Sequence, residues 1–237
     1  MGRSMVLKHI GIIMDGNRRF SKKLMLEPWK GHEWGAKKVK QVIEWCKEFG
    51  IKEVTLYAFS IENFNRPKEE FDHLMNLFKR EFDRLATPKQ LEKLNSEGIR
   101  INFIGRIEMF PKKVYESMKT LMKKTARNKR YIVNFAMAYG GRAEIVDAVK
   151  RIAHGIKKGK IDVNNIDEKL IEKNLYMRSE PDLIIRTSGE QRTSGFLIWQ
   201  GSYAELFFCK KYWPEFEKAD LAAAIADYNS RERRFGR

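Results

Sequence analysis

Two cysteines, Cys46 and Cys209, are all that the 237 residues contain. They lie far apart with no metal-ligand spacing, so neither a disulfide framework nor a thiolate metal site is expected, and a reducing cytoplasm fits. Long apolar runs are missing too. No stretch approaches the ~20 apolar residues of a membrane span, and the first residues carry no long apolar segment of a secretory signal. Internal repeats and low-complexity tracts are absent while aromatics are plentiful, which argues against a disordered chain. Acids are the scarcer charge: 31 Asp and Glu face 47 Lys and Arg, a formal net charge of +16. Such a surplus implies anionic partners, whether nucleic acid, anionic lipid or phosphorylated small molecules. Lysine pairs such as Lys22-Lys23, Lys37-Lys38 and Lys157-Lys158 read as solvated helix faces.

What is present centres on His9-Ile10-Gly11-Ile12-Ile13-Met14-Asp15-Gly16-Asn17-Arg18-Arg19. Residues 10–14 are nearly all apolar, as in a strand buried on both faces. The run ends at an acid, two turn formers and two arginines. Gly16 and Asn17 tolerate positive φ, so the backbone can turn sharply and gather N–H groups into an anion nest. Arg18 and Arg19 add the fork that grips phosphate oxygens. Asp15 would repel phosphate unless a divalent cation stood between them, and Mg²⁺ commonly bridges a carboxylate and substrate phosphates. The pattern therefore predicts a Mg²⁺–diphosphate site at a strand end. Asp-Gly also marks hairpin turns, but no alternating strand follows.

Along the chain, apolar runs at 53–59, 99–104, 131–138 and 182–186 read as strands, with further apolar runs at 196–200 and 204–209. Helical spacing marks 34–48, 68–86, 111–126, a helix with Ile145, Val146, Val149 and Ile152 inward, a short one near 167–175, and 217–234. Phe71, Leu74, Met75, Phe78, Phe82 and Leu85 form the apolar face of the second helix. That face is either ordinary core or partly the wall of a lipid cavity. Strands alternating with helices predict an α/β fold, a mostly parallel central sheet with helices on both faces. Ligands then bind beyond the carboxyl ends of the strands. The polar clusters 15–19, 60–66, 140–142 and 186–194 all fall there.

These residues resemble the cis-prenyltransferases, the undecaprenyl diphosphate synthase family. The likeness runs through HxxxIMDGNRR at 9–19, GH at 31–32, YAFSIENFNRP at 57–67, YGGR at 139–142 and DLIIRTSGExRxSxFLxWQ at 182–200. YAEL at 203–206, WPEF at 213–216 and RFG at 234–236 complete it, and DGNRR with SIENF is closer to the archaeal and eukaryotic branch. The resemblance implies an apolar tunnel within the fold and one catalytic domain over 1–237. It implies an enzyme that adds isopentenyl diphosphate units to a C15 or C20 allylic diphosphate, making a long polyprenyl diphosphate, the precursor of a glycosyl carrier lipid. The family's trans-acting counterparts use Asp-rich motifs, and no DDxxD is present here.

Residue by residue, the resemblance implies Mg²⁺ at Asp15 with Glu205 as a second carboxylate. It places Gly16, Asn17, Arg18, Arg19, Phe20 and His32 around the allylic diphosphate. Ser60, Asn63 and Arg66 match residues of catalysis and substrate placement, and Arg186, Arg192 and Ser194 match the isopentenyl diphosphate pocket. Arg234 and Gly236 match a C-terminal RxG motif, so the tail 231–237 would reach the partner's site in a homodimer. The expected partners are the two diphosphates and a peripheral membrane contact at product release, with no nucleic acid, in a cytoplasmic protein. One departure stands out: an arginine frequent four residues before the GH histidine is Pro28 here. Lys30 can replace its charge but not its bidentate geometry.

Overall fold

A computed structural model describes residues 7–231. In chain order these form β1 (His9–Ile13), α1 (Asn17–Lys23), α2 (Lys30–Glu48), β2 (Glu53–Ser60), α3 (Lys68–Leu85), α4 (Pro88–Ser96), β3 (Ile99–Ile104), α5 (Lys112–Thr125), β4 (Tyr131–Tyr139), α6 (Gly141–Lys157), α7 (Glu168–Asn174), β5 (Leu183–Arg186), β6 (Glu205–Phe208) and α8 (Lys218–Ser230). The six strands make one sheet, in the order β3-β4-β2-β1-β5-β6, and every neighbouring pair is parallel. β1 lies centrally, with Ile13 beside Tyr57 on one flank and Arg186 on the other. All five of its residues are buried, as a run without polar alternation requires.

Side chains alternate across the sheet. Ile10, Ile12, Val54, Leu56, Ile101, Val133 and Phe135 share one face, in the core with Val42 of α2, Leu74 of α3, Met118 of α5 and Leu221 of α8. The opposite face packs Ile13, Ala136 and Ile184 against Met177, Phe196 and Leu197. This second face also carries a buried polar strip across four strands. His9 Nε2 lies 2.8 Å from Thr55 Oγ1. Asn134 Nδ2 donates to Thr55 Oγ1 at 3.0 Å and to Glu53 Oε1 at 2.7 Å, and Asn134 Oδ1 accepts from Asn102 Nδ2 at 2.9 Å.

The predicted strands are all present, and three helical details differ from expectation. α1 and α4 lie where the spacing marked no helix. α6 is rotated: Glu144, Ala148 and Ile152 point inward, while Val146 and Val149 are 47% and 57% exposed. The cause is Glu144, whose carboxylate accepts from Tyr139 Oη at 2.5 Å, the Tyr176 N–H at 2.8 Å and Gln200 Nε2 at 3.0 Å. A buried acid with three donors outweighs two valines in setting the helix face. Finally, the apolar run 196–200 is a set of turns, with Leu197 at φ +47°.

Candidate active site

The site is built where β1 and β5 end. Gly16 takes φ +104° and caps α1, so the chain turns from strand to helix within the three residues 14–16. α1 then crosses α2 at very short range. A Cβ on Gly31 would stand 2.0 Å from the Asn17 carbonyl oxygen, and one on Gly35 would stand 2.4 Å from Asn17 Oδ1. Those two glycines, one turn apart, let α2 lie directly against the start of α1.

Asp15 sits at the turn. Its Oδ2 accepts from Arg186 Nη2 at 2.8 Å and lies 3.3 Å from Arg19 Nη2. Its carbonyl accepts from Thr187 Oγ1 at 2.7 Å and from the Trp213 N–H at 2.9 Å. Burial alone would raise the Asp15 carboxyl. The hydrogen bonds from Arg186 and Ser188, with the charges of Arg186 and Arg19, override it and hold the group below the usual carboxylate range. Arg186 itself is 5% exposed, and its Nη1 donates to the Arg192 carbonyl at 2.5 Å and to Ser194 Oγ at 2.8 Å. It thus ties Asp15 to the loop 187–195. Arg19 reaches the same loop, donating to Glu190 Oε1 at 2.9 Å and Ser188 Oγ at 2.6 Å. Glu190 also accepts from exposed Arg192 at 2.5 Å, so one acid bridges an arginine of α1 and an arginine of its own loop.

A second cluster adjoins the first. Glu70, 2% exposed, accepts from Arg66 Nη1 and lies 3.3 Å from His32 Nε2 and 3.7 Å from Arg18 Nε. The hydrogen bond with His32 and the charge of Arg66 pull the Glu70 carboxyl down to about 2 against the opposing pull of burial. Burial lowers the His32 imidazole and holds it neutral at pH 7. The sequence reading passed over Glu70. The available signal was an acid four residues after Arg66, on the apolar stripe that carries Leu74. Ser60 and Asn63 close a reciprocal cap on the turn 61–65, with the Ser60 N–H donating to Asn63 Oδ1 at 3.0 Å. Phe20 packs edge-on to Trp34 at 5.9 Å. Lys30, the first residue of α2, is exposed.

Glu205 does not join this cluster within one chain. Asp15 follows Ile13, whose level on β6 is Phe208, and Glu205 lies three residues before Phe208. At about 3.3 Å per residue, the two carboxylates are roughly 16 Å apart along the strands. Glu205 instead accepts from Arg231 Nη1 at 2.7 Å. Within one chain, the carboxylate expected as the second near the metal therefore stands apart from Asp15. Arg234 and Gly236 lie outside the described residues.

From Asn17, His32, Asn63 and Arg66 a cavity runs between the sheet and α2, α3 and α4. Its middle is apolar, lined by Val39, Ile43, Phe59, Leu74, Leu77, Phe78, Phe82 and Phe135. Phe71 of the predicted stripe packs instead among the rings of Phe59 and Phe64. Asp15 supplies a hard, ionised oxygen ligand beside this mouth. Among the described residues, no three His, Cys, Asp or Glu side chains form a metal cage. That donor set fits a Mg²⁺ ion drawing its other ligands from phosphates and water.

A family profile described as putative undecaprenyl diphosphate synthase matches residues 13–236. The chain is 48% identical over 234 residues to a protein of Methanopyrus kandleri named tritrans,polycis-undecaprenyl-diphosphate synthase (geranylgeranyl-diphosphate specific), covering 98% of this chain and 85% of that protein. An isoprenyl transferase of Thermus thermophilus is 46% identical over 236 residues, covering 97% and 89%. Among solved structures, lavandulyl diphosphate synthase from Lavandula x intermedia, in complex with dimethylallyl diphosphate, superposes with a TM-score of 0.92 at 34% identity, over 98% of this chain and 99% of that one.

Proposed function

Since this chain belongs to the undecaprenyl diphosphate synthase family of cis-prenyltransferases, we infer that it is a transferase that lengthens an allylic diphosphate with isopentenyl diphosphate units, releasing a polyprenyl diphosphate. The observation that carries the reading is an adjacency: the Asp15–Arg19–Arg186 cluster stands beside Met14 and Asn17, which with His32, Asn63 and Arg66 line the mouth of an apolar cavity. Diphosphate is recognised by the first and hydrocarbon by the second. A C20 primer is favoured, because relatives at this level of identity are named for geranylgeranyl diphosphate.

Arg19, with the backbone of Gly16 and Asn17, holds the allylic diphosphate. Arg186, Arg192 and Ser194 hold the isopentenyl diphosphate. Bringing a diphosphate between these arginines replaces their present contacts to Asp15 and Glu190 with stronger, doubly charged acceptors. Mg²⁺ bound at Asp15 would supply Lewis acidity to the departing diphosphate. Asp15 alone is assigned to the metal within a chain. Positive groups fixed around the leaving diphosphate stabilise the charge that develops as the allylic C–O bond breaks. His32 and Arg66, both held by Glu70, position that end of the primer, and Asn63 in its capped turn stands at the cavity mouth.

The chain acts as a homodimer, with the tail 231–237 completing the partner's site. The exposed valines of α6, one turn apart, support an interface on that helix. Peripheral contact with anionic bilayers is supported by exposed Leu24, Met25, Leu26 and Trp34 beside Lys22, Lys23, Lys30 and Lys37. Among the described residues no helix is long and apolar enough to cross a membrane. The test is incubation with labelled isopentenyl diphosphate and C15 or C20 allylic diphosphates, with Mg²⁺ or chelator, followed by chromatography. Chelator-sensitive products longer than the primer are expected, with the C20 primer preferred. No elongation of either primer would overturn the reading. Sedimentation with anionic vesicles should fall as salt rises, and salt-independent binding would contradict the electrostatic contact.

A further inference from the structure

A ring of charge stands at the far end of the cavity. Glu44 and Lys47 lie in the last turns of α2, Lys93 lies in the last turn of α4, and Glu97 caps α4. Lys47 Nζ is 2.5 Å from Oε2 of both Glu44 and Glu97, and Lys93 Nζ is 3.4 Å and 3.5 Å from the other carboxylate oxygen of each. Each lysine takes one oxygen of each glutamate, so the four make a closed ring of zero net charge. Glu44, Lys93 and Glu97 belong to the cavity wall. Lys47, 17% exposed, joins the two glutamates from outside that wall, whereas Lys93 lines the cavity and is 50% exposed, so the ring also reaches solvent.

The distance from mouth to ring is short. The cavity wall runs along β4 and β3 from Met137 to the level of Ile99, whose partner on β4 is Tyr131. Those six residue steps span roughly 20 Å at the rise of a strand. An extended C5 unit, four single-bond-like links long, covers about 4–5 Å. About four or five units therefore reach the ring.

We propose that the Glu44–Lys47–Glu97–Lys93 ring is a gate that the growing polyprenyl chain must part in order to exceed the length of the cavity, making these four residues determinants of product length. The proposal rests on the polyprenyl reading above. A hydrocarbon tip pressed against the ring would strip water from charges, which is unfavourable. The ring is nonetheless made of partly exposed ion pairs, which are weak singly and screened by salt. It is therefore a barrier that a pushing chain can open, between the ends of two helices from separate parts of the chain.

The experiment locks and unlocks the ring in the full-length enzyme. Glu44→Cys with Lys93→Cys allows α2 and α4 to be joined by a cleavable bis-thiol reagent. Burial drives the native Cys46 thiol up to about 12 and raises that of Cys209, so neither competes. Joined enzyme should add the first isopentenyl unit to its primer at the uncross-linked rate, yet accumulate products that end near cavity length, and cleaving the linker should restore the long products. Separately, Lys93→Met with Glu97→Gln should shift the distribution toward longer chains while circular dichroism and Tm stay those of a folded protein. If cross-linked and uncross-linked enzyme give the same lengths, or the double variant leaves the distribution unmoved, the ring is no gate. If unmodified enzyme elongates neither primer, it is the underlying reading that fails.

Discussion

Glu70 offers the sharpest quantitative test of the site's electrostatics. Its folded-state pKa of about 2 lies below its ordinary 4.5 because His32 donates to it and Arg66 stands against it. A lowered acid stabilises the fold above its unfolded pKa, and that contribution is lost as pH falls through the folded value. The gap is worth about 3 kcal/mol at pH 7, about 2 kcal/mol at pH 3.5 and under ~1 kcal/mol at pH 2.5. Glu70→Gln removes the titration and leaves Arg66 and Arg18 without their shared acid. The assay is urea unfolding of both proteins at several pH values. The wild-type advantage should be near 3 kcal/mol at pH 7 and should shrink steadily below pH 4.5. A stability difference that is the same at pH 7 and pH 3 would refute the electrostatic account and leave Glu70 as packing alone. KM for the allylic primer should rise in the same variant, since the groups it positions line the mouth.

Asp15→Ala should cost ~3–4 kcal/mol of transition-state stabilisation, about 10²–10³ in kcat/KM; near-normal turnover at saturating Mg²⁺ would make Asp15 a turn residue. Leu74→Ala enlarges the cavity and should lengthen products, whereas Phe71→Ala should lower stability by ~3–5 kcal/mol and leave product length alone, because its ring packs on Phe59 and Phe64; chromatography and thermal unfolding separate the two. Heterodimers of Asp15→Ala with Arg234→Ala chains should regain roughly one working site of two. Heterodimers as inactive as both parents would confine the tail to its own chain.

Much of this architecture is written locally. The apolar run Ile99–Ile104 becomes β3 residue for residue, and the polar clusters after β1, β2 and β5 stand together at one rim. Such features depend on a run and its neighbours in sequence. What escapes is what depends on a distant partner. Glu144 turns α6 only because Tyr139, Tyr176 and Gln200 converge on it, and two valines then face outward against the expectation from spacing. Glu70 looks like a solvated helix acid until α2 brings His32 beside it. Glu205 matches a motif, and its separation from Asp15 within one chain emerges only with the sheet register. α1 is hidden because Asn17 belongs to both a turn and a helix start, and Gly31 and Gly35 reveal their purpose only when the two helices touch.

The polar strip beneath the sheet bears on how the strands find their alignment. β1 and β5 are apolar on both faces, so a greasy strand slid by two residues would still present its side chains to the correct sides. Hydrophobic burial alone barely distinguishes such neighbours in register. The His9–Thr55–Asn134–Asn102 strip does distinguish them, because each polar group finds its partner in a single alignment of β1, β2, β4 and β3. In the slipped arrangement an imidazole, a hydroxyl and two amides would be buried without partners, at about 1–3 kcal/mol for each group left bare. The strip thus serves as an address code for the pairing of β3, β4, β2 and β1, and so for the level at which β1 delivers Asp15 beside the end of β2.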